Sequence, residues 1–166
     1  LEVFSPGTDS GTFDYLVEAV VQPLFADTEK PADEAHKAIL NIPGIQLSED
    51  DNVLVKGIES SQFAIGYFGF AYYHENKDRL HAIAIDKGNG CISPDEQTAE
   101  DNTYPLSRPL FLYSDAAVMK SKPQVAGFLN FFLTHVDEVI LDIGYFPAST
   151  SSLNEAKQAW LDATES

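Results

Sequence analysis

The turn Thr8-Asp9-Ser10-Gly11-Thr12 carries the residue types in this 166-residue chain best suited to holding a ligand. It stands between a short apolar run, Glu2 to Ser5, and a stretch in which Phe13, Leu16, Val17, Val20, Val21 and Leu24 recur at helical spacing. A strand, a tight turn and a helix start are implied. The first amides of a helix lack intrahelical acceptors and sit at the positive end of the helix dipole, so they attract a small oxyanion. Ser10 and Thr12 add hydroxyl donors, and Gly11 removes the side chain that would hold a tetrahedral anion away from the backbone. The candidate binding set at this turn is Asp9, Ser10, Gly11 and Thr12. The same pattern also serves as a plain helix cap, with Asp9 or Ser10 as the capping residue.

Other chemistries lack their residues. A nucleotide-hydrolysing phosphate loop ends in Gly-Lys-Ser/Thr, whereas the nearest lysine here is Lys30. His36, His74, His81 and His135 fall in separate elements without the i, i+4 pairing of a metal-binding helix. Ser48-Glu49-Asp50-Asp51 lacks the spaced oxygens and central glycine of a calcium loop and reads as acids that complement a helix dipole. No Gly-x-Ser-x-Gly elbow is present, and Cys91 is not placed with a histidine as nucleophile and base. Catalytic residues, metal ligands and cofactors are therefore not expected, and the chain reads as a binding protein. Cys91, the only cysteine, allows no internal disulfide and is expected to be a packed small side chain. With 26 acidic against 10 basic residues, the net charge of −16 repels nucleic acid and anionic membrane surfaces. No stretch approaches the roughly 18 to 20 apolar residues that cross a bilayer, and LEVFSPG has neither the basic nor the apolar region of a signal peptide.

The elements that must position the turn can be read in order. Residues 26 to 44 are polar and broken by Pro31 and Pro43, with a short helix expected from Pro31. Ser48 followed three residues later by Asp51 resembles a capping box, which predicts a helix from Glu49 to Glu59 with Val53, Leu54 and Ile58 buried. FAIGYFGF at 63–70 and LHAIAID at 80–86 read as strands, with a helical turn between them. Residues 87–103 read as a surface loop, and YPLSRPLFLYS at 104–114 as a further strand whose prolines limit its pairing. After Pro123, the residues Val125, Phe128, Leu129, Phe132, Leu133, Val136 and Val139 share one helical face, ended by Gly144 and Pro147. A last helix follows, with Ser152 as cap and Glu155 three residues on. Strands alternating with helices predict an α/β protein.

Several blocks together resemble the periplasmic phosphate-binding proteins of ABC transporters: FSPGTDSGTFDYLVEAV, LSEDDNVLVKGI, AIGYFGFAYYHEN, AIDKGNGCISPDEQTAEDNTYPLSRPLFLY and VAGFLNFFL. They cover most of the chain in the family's order. The resemblance implies an α/β fold of the periplasmic-binding-protein type, with a mixed sheet flanked by helices, in which two lobes close over one phosphate ion. It implies that residues 1–103 form the second, anion-binding lobe and that residues 104–166 hold the crossover strand and C-terminal helices that complete the first. The fold is then incomplete relative to the two-lobe family. Ser10, Gly11 and Thr12 match the family's phosphate-holding Ser-Gly-Thr. The arginine that family members supply just before that motif, or shortly before the acidic turn, is replaced here by Pro6 and Gly7 and by Ile45 to Leu47. The chain's arginines are Arg79 and Arg108, so a bidentate contact from this chain falls to Arg108, in a turn-like Ser-Arg-Pro context. The implied partners are inorganic phosphate and the membrane permease of an ABC transporter. The implied location is periplasmic or extracellular, with a lipoprotein anchor in the full-length protein. The alternative expectation is a receptor-like interaction or sensory module that has lost phosphate and forms a homodimer through surface exposed by the missing lobe.

Overall fold

The computed structural model describes residues 1–88, 90–143 and 145–165. The chain divides into two compact units, Leu1–Ile83 and Ala84–Ser166. In the first, strand β1 (Glu2–Pro6) pairs in parallel with β2 (Gln46–Ser48) on one side and β3 (Ala64–Gly66) on the other. Helix α1 (Gly11–Leu16) runs into a π-helical turn (Val17–Val21) and a 3-10 turn (Gln22–Phe25), and α2 (Pro31–Leu40) follows before β2. Helix α3 (Asp51–Glu59) joins β2 to β3, and α4 (Phe70–Glu75) leaves β3. Two helical connections leave β1 and β2 in opposite lateral directions, and with the right-handed crossover that parallel strands favour they cover opposite faces of the sheet.

The side-chain alternation of β1 agrees. Phe4 faces α3, so closely that a Cβ on Gly57 would stand 2.1 Å from the Phe4 ring, and a Cβ on Gly66 would meet Phe4 Cβ and Ile58. These glycines let helix and sheet touch, with Leu54 and Val55 buried beside them. Ser5, next along the strand, turns to the other face. The main core cluster consists of Phe13, Val17, Ala35 and Ile39, contributed by the α1 segment and α2.

The expected elements of this unit mostly appear, with local differences. The apolar stripe of the first helix is only partly buried, for Leu24 is 78% exposed. The chain passes from α to π to 3-10 geometry there, and each change of pitch rotates later side chains off the stripe. Strand β2 lies between the polar stretch 26–44 and the expected helix, where no element was expected, and three residues are too short for an alternating pattern to register. The cap of α3 is Asp50, whose side chain accepts from Asn52 N, whereas Ser48 ends β2 and its hydroxyl bonds the Asp50 backbone. The run 63–70 pairs only over β3, since the chain turns to start α4 after Gly69.

In the second unit, β4 (Ile85–Asp86) and β5 (Cys91–Ile92) form a short antiparallel hairpin. The Asp86 carboxylate accepts from the amides of Gly88 and Gly90, and both glycines have positive φ, a region closed to most side chains. Only the end of the expected 80–86 strand is paired, and the expected loop 87–103 contains β5 and helix α5 (Glu96–Glu100), capped by Asp95 and Thr98. Cys91 is exposed, contrary to expectation, because a two-residue hairpin strand has no second layer to bury it. Helices α6 (Ala116–Ser121), α7 (Pro123–Ile143) and α8 (Thr150–Glu165) follow, and Trp160 Nε1 donates to Ala126 O at 3.0 Å to join α8 to α7. Ser149, in place of Ser152, accepts from the third amide of α8. The expected stop at Gly144 lies outside the described residues.

The run 104–114 forms no strand among the described residues, and Leu110, Phe111, Leu112 and Tyr113 are exposed, Tyr113 at 89%. A strand needs a neighbour for its N–H and C=O groups, and Pro105 and Pro109 lack the N–H. The expected apolar face of α7 is half-buried at Val125, Leu129, Phe132, Leu133 and Val136, while Phe128, at 62%, and Val139 are exposed. No described helix is long and apolar enough to cross a membrane.

Candidate functional site

All three strands of the first unit are parallel, so the chain leaves each at the same edge of the sheet. After β1 comes Gly7 to Thr12, after β2 the acidic turn Glu49 to Asp51, and after β3 the segment Tyr67 to Gly69. In the order β2-β1-β3 the connections diverge between β1 and β3, and such a switch point opens a crevice at the carboxyl ends of the strands. The candidate turn lies at that edge.

Its hydrogen bonds define what it can offer. Ser10 caps α1, its Oγ accepting from Thr12 N at 3.2 Å. Ser10 N donates to Gly7 O at 3.0 Å, and Asp9 N donates to Glu49 Oε1 at 3.3 Å. The amides of Asp9, Ser10 and Thr12 therefore already have protein partners. The hydroxyls supply the rest. Because the Ser10 oxygen acts as acceptor toward Thr12 N, its proton is left for an outside acceptor, and the Thr12 hydroxyl makes no hydrogen bond among the described residues. Ser10 and Thr12 are half-buried, while Asp9 and Gly11 are exposed. Gly7 is buried beneath the Glu49 carboxylate, and a Cβ there would stand 1.7 Å from Glu49 Oε1.

The neighbouring turns add acceptors. Burial raises the Asp51 carboxyl above its ordinary range; the Gly69 amide pulls the other way, and Asp50 and Glu49 push it up further. Asp51 thereby ties the start of α3 to the start of α4. At the β1–β3 crevice Tyr67 Oη lies 2.7 Å from Ser5 Oγ, and burial raises the phenol above its usual value.

Ser10, Gly11 and Thr12 thus come together on one turn, with Asp9 beside them. Arg108 is exposed and belongs to the second unit. Arg79, the only arginine of the first unit, pairs with Glu59 at 2.6 Å and donates to Asn76. Glu59 ends α3, which runs back from the carboxyl edge, so this guanidinium serves the opposite end of the unit. Sequence reasoning did not single out Tyr67, and read Glu49 only as an acid at a helix start. The pairing of Ser5 with Tyr67 needs the β1–β3 register, which no local pattern reveals. No group of three or more metal-ligating side chains occurs among the described residues.

Comparison with known proteins places this arrangement. Residues 1–136 match the PBP superfamily domain. The chain is 37% identical over 161 residues to Protein SphX of Synechocystis, covering 95% of this chain and 43% of that protein. It is 33% identical over 147 residues to the phosphate-binding protein PstS of Staphylococcus haemolyticus, covering 87% of this chain and 41% of that protein. A crystal structure of a possible phosphate binding protein from Planctomyces limnophilus superposes with a TM-score of 0.72 at 33% identity, covering 98% of this chain and 54% of the other. The chain thus spans less than half the length of these two curated relatives. The parallel sheet, the glycine-mediated helix packing and the match over residues 1–136 agree: the chain belongs to the PBP superfamily, the fold of periplasmic substrate-binding proteins.

Proposed function

We propose that the chain is part of an extracytoplasmic receptor that binds inorganic phosphate for uptake by an ABC transporter. In this reading residues 1–103 build the second lobe and residues 104–166 complete the first. The observation that carries it is the Ser10 cap at the carboxyl end of β1, which leaves the hydroxyl protons of Ser10 and Thr12 for an anion. Gly11 lets the anion approach the backbone. The names of the relatives from Synechocystis and Staphylococcus, and of the Planctomyces structure, support phosphate as the ligand. Asp9 lines the same turn, and Arg108 is assigned to the ligand only if closure of the lobes brings it there. The permease that receives the ligand and a lipoprotein anchor belong to the same proposal. The receptor works by binding and hinge closure, with no chemical step. Calorimetric titration of the full-length receptor with phosphate tests this, and the reading requires binding at millimolar concentration or tighter.

A second reading, an interaction or sensory module that no longer binds phosphate and self-associates, is favoured by one specific pair of features. The carboxyl edge of the first unit has no arginine, and Leu110 to Tyr113 present exposed apolar side chains. Size-exclusion chromatography with light scattering separates the two. A stable dimer indifferent to phosphate supports the second reading, and a monomer that binds phosphate supports the first.

A further inference from the structure

The amides of Ser10 and Thr12 find their partners within their own turn: Ser10 N donates to Gly7 O, and Thr12 N to the Ser10 cap. Asp9 N is different, because it donates to Glu49 Oε1 at 3.3 Å, a side chain that comes from the opposite turn. The β1–β2 register brings the two turns level. Pro6 pairs with Ser48, and Gly7 N donates to Ser48 O at 3.0 Å, so the next residue, Glu49, stands beside Gly7. Gly7 has no side chain to hold the carboxylate off, and the group settles over buried backbone; a Cβ there would stand 1.7 Å from Glu49 Oε1. No ion pair among the described residues involves Glu49, and Asp50 and Asp51 follow it directly. A carboxylate oxygen on a backbone amide uses the same contact that an oxyanion would use.

We propose that Glu49 is an autoinhibitory latch of this turn: its carboxylate holds the Asp9 amide until an incoming oxyanion displaces it. This rests on the phosphate reading above and deepens it. Two anionic groups do not share one amide, since both would accept the same proton and like charges a few ångströms apart repel. Glu49 is exposed, so its side chain can swing into solvent by rotation about its own bonds, with no change in the backbone. Once it leaves, the turn adds the Asp9 amide to the Ser10 and Thr12 hydroxyls as donors. The Ser10 and Thr12 amides are not released in this way, because their acceptors belong to the turn itself. While the latch is closed the turn is not competent to bind, and the apparent affinity falls in proportion to the competent fraction. Glu49 thereby sets how tightly the turn holds an anion.

Calorimetric titration of the full-length receptor with phosphate, for the parent, Glu49→Ala and Gly7→Ala, tests the latch. Glu49→Ala removes the competitor and is expected to tighten phosphate about 3- to 10-fold, the worth of one hydrogen bond. That gain should persist in 1 M sodium chloride, where a Debye length of about 3 Å screens the general repulsion between charges. Gly7→Ala keeps the charge but fills the space that the carboxylate needs, and it is expected to tighten phosphate as well. Gly7 is not among the glycines with positive φ, and the nearest atoms its new methyl would meet all belong to the movable Glu49 carboxyl group. No gain in Glu49→Ala, or a gain that vanishes in 1 M salt, overturns the proposal, because the carboxylate then acts through its distant field or not at all. A Gly7→Ala variant that is folded by circular dichroism yet binds no tighter than the parent also overturns it; if that variant does not fold, the salt comparison decides. If neither the parent nor Glu49→Ala binds phosphate at millimolar concentration, the phosphate reading falls; if both bind equally, only the latch does.

Discussion

In the proposed reading Ser10 does two jobs with one oxygen, and substitutions can separate them. As cap it accepts the Thr12 amide, and as the proposed ligand group it offers its proton to the anion. Ser10→Ala should lose about 1 kcal/mol of stability with the cap and weaken phosphate about 10-fold or more, since hydrogen bonds to charged groups are the stronger class. Thr12→Val, which removes a hydroxyl that caps nothing, should weaken phosphate without the stability loss. Thermal melting and calorimetry on the two variants check this. The turn itself was legible in the sequence, because capping residues before a helical period are a local signal. What was not legible is how many donors the turn keeps. Glu49 is 40 positions away from Asp9, and its carboxylate takes an amide that local reasoning left open. The same limit hid Tyr67, 62 positions from its partner Ser5.

At the scale of elements, the contact between α3 and the sheet is set by glycine. Gly57→Ala puts a Cβ into the Phe4 ring and should cost about 1 to 3 kcal/mol through forced repacking, read as a lower denaturation midpoint. Asp51 makes a different demand. Its carboxyl titrates higher in the folded chain than in the unfolded one, because burial penalises the charged form. The folded state therefore holds a proton that the unfolded state has already released, and this contribution favours folding below the ordinary carboxylate range and fades as pH rises through the folded value. Asp51→Asn keeps an oxygen for the Gly69 amide and should leave stability equal or higher at neutral pH, with a flatter profile between acid and neutral denaturation curves. Helices with a sustained period, α3, α7 and α8, were read from sequence to within a few residues at their ends, and α2 at its start at Pro31, since each brings its own hydrogen bonds. Strands were read less well. LHAIAID alternates over seven residues, yet only Ile85 and Asp86 find a ladder, because pairing depends on a neighbour that periodicity does not supply.

For the whole molecule, charge and family point in opposite directions, and that tension is testable. A chain of net charge −16 repels phosphate at long range, while in the proposed reading the hydroxyls and dipoles of one turn attract it at contact. If no guanidinium reaches the ligand, added sodium chloride screens the repulsion over a Debye length of about 10 Å at 0.1 M and should tighten phosphate binding. Weaker binding in salt would mean that basic groups, Arg108 or residues outside this chain, hold the anion. In the proposed reading, the exposed Leu110 to Tyr113 segment belongs to residues 104–166, which complete the first lobe. The central claim is local, however, and one crystal structure of the full-length receptor grown with phosphate tests it most directly. The account predicts density for a tetrahedral anion within hydrogen-bond distance of both the Ser10 and Thr12 hydroxyls. A well-ordered anion bound elsewhere, or an empty turn with both hydroxyls bonded to the protein at saturating phosphate, would contradict it.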